Sequence, residues 1–210
     1  MLSGVQEWLG YRRDAFGDTV ELWNGGPDFA ALRTRWAADP ARVESMLVQG
    51  LAARDPLAAE ALLYLPLATD SRADFHEILT ACLGTATVGF HLRAVVALHA
   101  LDSDEAWADE VVRVLLGGGF WGDRMEAARV LAAFRPTCAL IRSLSQAIAD
   151  PDYLVRRQAA NTLLRFSGRE PDIAALPALF DRIRNGTTGA DWARASAELA
   201  AGATAYAASH

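Results

Sequence analysis

Laid on itself at a step of 33 residues, the chain brings five alanines into register: Ala61 in "AAEALLYL", Ala94 in "HLRAVVAL", Ala127 in "RMEAARVL", Ala159 in "RRQAANTL" and Ala195 in "ARASAEL". The successive steps are 33, 33, 32 and 36 residues, the last stretched by "RNGTTGAD". A period in this range predicts stacked supersecondary units. Four positions after each alanine stands a leucine, Leu65, Leu98, Leu131, Leu163 and Leu199, a spacing that puts both residues on one helical face. Each such helix follows a second amphipathic segment: "VESMLVQGLAA", "DFHEILTACL", "WADEVVRVLL", "LIRSLSQAIA" and "DIAALPALFDRI". Small residues at the markers let helices approach closely, and no pair could bury its apolar faces alone.

The stretch "DPDYLVRRQAANTLLRFSG" resembles the second helix of a HEAT-like repeat of the kind first described beside phycobilin lyases. That pattern runs Asp, Val-Arg, Ala-Ala and Leu, and Asp150, Val155, Arg156, Ala159, Ala160 and Leu163 match it. The unit around Ala127 keeps Arg124, Ala127, Ala128 and Leu131 but has glycine in place of the aspartate; the other units match only in apolar spacing. The resemblance covers roughly residues 40–205 and implies an all-α fold, a right-handed α-solenoid of about five HEAT-like helix pairs. It says little about activity, because functions are grafted onto solenoids.

The domain boundaries expected are an aromatic-rich N-terminal helical cap over residues 1–40, the repeat array over 41–205 and a tail over 206–210. Trp8, Tyr11, Phe16, Trp23, Phe29 and Trp36 crowd the first segment, interrupted by the turn "WNGGPD". The preferred reading is that they cover the open end of the stack. The sharper one is that they help form a ligand pocket.

Composition then removes function classes. All 20 basic residues are Arg, so a Walker A phosphate loop, a pyridoxal Schiff base and a kinase-type ATP lysine are excluded. No basic leader precedes a long apolar run, and no stretch approaches the ~20 apolar residues of a spanning helix, so a cytoplasmic location is expected. Cys82 and Cys138 sit singly in apolar segments and are expected to be buried thiols in a reducing compartment. His76, His91, His99 and His210 form no metal-ligand pattern, and no metal or other cofactor is expected.

"GGGFWG", residues 117–122, fits G-x-G-x-x-G formally, but the segment before it falls where other units have helices, so its glycines are expected to make a turn. Phe120 and Trp121 in that turn are core anchors by preference and, if exposed, hot-spot material. Asp102 and Glu105 have the spacing of a capping box. The Arg-Arg pair divides: by the resemblance Arg156 bonds an aspartate, Asp150 or Asp152, while Arg157, Asn161 and Arg165 follow at i, i+4 and i+8 as a separate polar line. With Arg129 they are expected to form a groove patch on the inner surface.

Residues 1–112 carry 8 Arg against 17 Asp plus Glu, whereas 113–184 carry 11 against 7. The leading expectation is therefore a non-enzymatic protein-interaction module, a scaffold or immunity-type inhibitor. It is monomeric when free and grips an acidic protein through Phe120, Trp121, Arg124, Arg129, Arg157, Asn161 and Arg165. The alternative resembles the HEAT-like alkylpurine DNA glycosylases, with Trp121, Asp123 and Arg124 offering the lesion-site residue types. Net charge -6 and the lack of Lys weigh against nucleic acid.

Overall fold

A computed structural model describes residues 2–17, 26–84, 86–186 and 189–209, so Trp23 and the first three residues of "WNGGPD" lie outside the described part. Among the described residues every regular element is helical and no strand occurs. The chain divides into two compact units, Met1–Asp104 and Glu105–His210.

The first unit contains α1 (Leu2–Phe16), α2 (Phe29–Ala38), α3 (Pro40–Ala52), α4 (Pro56–Ala61), α5 (Thr69–Leu83) and α6 (Val88–Asp102). Asp-Pro pairs start α3 and α4: Asp39 accepts from Arg42 N and Asp55 from Leu57 N, while Pro40 and Pro56 occupy a first-turn position where no backbone donor is needed. Asp55 does more than cap. Its Oδ2 also accepts from Trp8 Nε1 at 3.0 Å and pairs with Arg12 Nε at 2.7 Å, fastening α1 to the first helix pair. Trp8 is fully buried beside Gly50, where an added Cβ would lie 2.7 Å from Trp8 Cε2 and from Ala58 Cβ. The absent side chain is what seats the indole.

The second unit contains α7 (Trp107–Leu115), α8 (Trp121–Val130), α9 (Cys138–Ala147), α10 (Tyr153–Phe166), α11 (Pro177–Asn185) and α12 (Gly189–Ser209). Here α10 packs on α8, α9 and α12, and Thr162 Oγ1, itself buried, donates to Ala128 O at 2.8 Å. The last helix runs to Ser209, with the Tyr206 ring lying over Gly168, whose positive φ of 69° ends the turn after α10.

Within both units the register follows the repeat. Ala61, Ala94, Ala127, Ala159 and Ala195 are each 0 % exposed, and Leu65, Leu98, Leu131, Leu163 and Leu199 are all buried. The aromatics of the first segment divide. Trp8 and Phe16 are core residues, linked by ring contacts through Phe29 to Tyr64, whereas Tyr11 and Trp36 are half-buried.

Two local expectations need correction. The Asp102–Glu105 capping box does not form: Asp102 accepts from Asp104 N and pairs with His76, Glu105 accepts from Arg135 N, and α7 starts after Ala106 with no side-chain cap. The cysteines are not both buried, since Cys82 is half-buried and Cys138, the first residue of α9, is exposed. Helix-end positions face solvent whatever their hydropathy.

Candidate protein-binding surface

The turn between α7 and α8 carries the largest exposed aromatic ring. α7 fills its share of the core with Ala108, Val111 and Leu115, and the chain then leaves the core through Gly117, Gly118 and Gly119. Phe120, extended at φ -60° and ψ 138°, is 62 % exposed, and Trp121, the first residue of α8, is 37 % exposed. Their ring centroids are 5.1 Å apart at 49°. Core packing, the preferred expectation for these rings, is thus overturned: three glycines carry the chain outward where the interior is already filled. The Phe120 ring lies across Gly122, where a Cβ would come within 2.6 Å of it.

Arg124 fixes this turn. Its Nε and Nη2 donate to Asp150 Oδ2 and Oδ1 at 2.8 and 3.0 Å, and Nη1 donates to Gly119 O. The hydrogen bonds to Asp150 push the guanidinium pKa up, so the group stays charged throughout any working range. Arg124 is therefore spoken for: it ties the glycine turn to the segment entering α10, and the aromatic pair takes its position from that tether. The row of Trp121, Asp123 and Arg124 holds no guanidinium free for a second role.

On α10 the Arg-Arg pair divides by burial. Arg156 is 5 % exposed; its Nε donates to Ile183 O at 2.9 Å and its Nη1 to Asp150 O and Pro151 O at 2.8 and 2.9 Å. Its guanidinium carbon lies 4.7 Å from the centroid of the Trp192 ring. The expected aspartate partner is replaced by carbonyls, for a reason visible in the repeat. Arg124 already holds the Asp150 carboxylate, and counting back nine from the marker alanine of the next unit gives Gly186, where a Cβ would meet Arg182 O at 2.3 Å. No side chain fits there, so Arg156 satisfies the C-terminal end of α11 instead.

Arg157 is exposed and makes no hydrogen bond or ion pair among the described residues. Arg129, Asn161 and Arg165 come together, with Gln158 and Pro171, around a groove of about 280 Å3, and Arg157 stays outside it. Within the groove the residues differ. Arg129 is held bidentately by Glu126 at 2.7 Å, Asn161 Oδ1 accepts from Ile173 N at 2.8 Å, and only Arg165 is both exposed and unpaired among the described residues. Sequence reasoning missed Glu126, although its place three residues before Arg129 is the signal of a helical ion pair.

No three His, Cys, Asp or Glu side chains converge as a cation site among the described residues, and no described helix is long and apolar enough to cross a membrane. Consecutive helix hairpins with a buried small residue at a fixed period define an α-helical repeat array of the solenoid class. In the second unit that class has a family: residues 108–202 match the family of HEAT repeats. Comparison with curated proteins and with solved structures found no match.

Proposed function

We propose that the second unit is a protein-binding module that grips an acidic partner surface with α10 while Phe120 and Trp121 supply the apolar anchor. The observation that carries this is the charge pattern of residues 153–169. They contain Arg156, Arg157, Arg165 and Arg169 and no carboxylate, and all but Arg156 are exposed without an ion pair among the described residues. Exposed aromatic rings beside guanidinium groups are the residue types that dominate binding energy at interfaces. HEAT repeats commonly serve as protein-interaction scaffolds, which supports the same reading. The match of Asp150, Val155, Arg156, Ala159, Ala160 and Leu163 to the repeat described beside phycobilin lyases bears on the fold of this unit alone.

In this reading Arg157 and Arg165 contact the partner, and Arg124 positions the aromatic turn. Arg129 and Asn161 shape the groove floor. The test is capture from a nuclease-treated lysate of the source organism, followed by titration of the purified partner against wild type, Arg157→Glu/Arg165→Glu and Phe120→Ala/Trp121→Ala. The expected result is one protein retained by wild type and weakened at least tenfold by each double variant, the size of one lost hot spot. Retention equal in all three proteins, or none at all, rejects the module as described.

A further inference from the structure

In the first unit α1, α2 and α3 enclose a cavity of about 780 Å3, within the size range of small-molecule sites. The Tyr11 hydroxyl belongs to its lining and is itself buried without a hydrogen-bond partner among the described residues. A buried hydroxyl left unpaired is unfavourable, so its position at a cavity wall needs an explanation. Burial raises the Tyr11 pKa, and of the charges felt at the hydroxyl the guanidinium groups of Arg35 and Arg42 outweigh the carboxylate of Asp39. This end of the cavity therefore has a positive field and a hydroxyl with a proton to donate.

The remaining walls narrow the ligand. Ala38, Val43 and Met46 give an apolar side. Asp39 is occupied in capping α3, and Arg35 Nη2 is engaged with Asp14 O at 2.6 Å, which leaves Arg42 as the cation available to a guest. Glu7 and Asp14 also face the cavity, so a doubly charged phosphate would meet more repulsion than a single carboxylate. We infer that the cavity binds a small amphipathic carboxylic acid, its carboxylate accepting from the Tyr11 hydroxyl and facing Arg42, its hydrocarbon lying over Ala38, Val43 and Met46. The site is independent of the protein-binding surface proposed for the second unit.

The experiment is calorimetric titration of the full chain with octanoate, with octylammonium and 1-octanol as the same hydrocarbon bearing the wrong head. Octanoate is expected to bind saturably at one site, at least tenfold tighter than either comparator. Tyr11→Phe and Arg42→Gln should each weaken it about tenfold, the size of one hydrogen bond to a charged group. Arg42 is exposed, so its variant leaves the fold intact, and the melting temperature of both variants checks this. Phe120→Ala should change nothing, which separates the cavity from the exposed aromatic pair. Absence of saturable octanoate binding, equal affinity for a comparator, or insensitivity to either cavity variant overturns the inference.

Discussion

Arg156 and Arg157 are adjacent in sequence and opposite in physical role, and truncating each to alanine measures the difference. Arg156→Ala removes one buried hydrogen bond, to Ile183 O, and two part-buried ones, to Asp150 O and Pro151 O. An orphaned buried carbonyl costs about 1–3 kcal/mol, and the part-buried pair costs less because water can reach it. Loss of the guanidinium from the Trp192 ring, 4.7 Å away, adds about 1 kcal/mol. The expected total is about 3–5 kcal/mol. Arg156→Lys keeps the charge but not the planar fork that serves three carbonyls while covering an indole, and should cost about 1–3 kcal/mol. Arg157→Ala removes nothing visible in the fold and should stay within about 0.5 kcal/mol. Urea unfolding followed by far-UV circular dichroism reads all three, provided the denaturant slope is unchanged. If Arg156→Ala loses less than about 1 kcal/mol, or if Arg157→Ala loses as much as Arg156→Ala, the assignment of one arginine to holding and the other to display is wrong.

Two further outcomes test the first unit. Gly50→Ala gains about 1 kcal/mol of helix propensity but drives a methyl to 2.7 Å from both the Trp8 ring and Ala58, which costs about 1–3 kcal/mol; net destabilisation by urea unfolding is expected, and a more stable variant would refute the seating of Trp8. Tyr11 has a folded pKa raised above the usual 10.0 by burial, so the native state keeps a proton that the unfolded chain releases, and the associated stability is lost as pH rises through and beyond 10.0. Unfolding measured from neutral pH into that range should show this alkaline decline in wild type and a flatter one in Tyr11→Phe; parallel curves would contradict the burial of the hydroxyl.

The repeat was legible because it rests on close approach, which only small residues permit. An alanine every 32 to 36 residues marks where two helices touch, and each of the five is fully buried. Partner choice was not legible in the same way. Arg124 and Arg156 occupy equivalent positions, three before Ala127 and Ala159, yet one binds a carboxylate and the other carbonyls. The difference is set one repeat further on, by whether the chain can carry a side chain there, and Gly186 cannot. The aromatic pair at Phe120 and Trp121 shows the same limit. Hydropathy favours burial, but residues 117–119 carry the chain out of a core that α7 has already filled.

The whole-chain charge of -6 is a poor guide to what this surface attracts. At physiological salt, charges separated by more than about 8 Å are largely screened, so a partner responds to the local pattern. In the second unit several arginines are already neutralised where they stand: Arg113 by Glu110, Arg124 by Asp150, Arg129 by Glu126 and Arg182 by Glu198. Those pairs subtract equally from both signs and leave the basic run of α10 as the exposed excess. The same logic weakens a nucleic-acid reading. A duplex demands several unpaired cations along its backbone, and the exposed unpaired guanidinium groups on α10 and the turn after it, Arg157, Arg165 and Arg169, are few for that purpose. A compact acidic protein surface needs only a few such groups beside an apolar anchor, which is the pattern this unit displays.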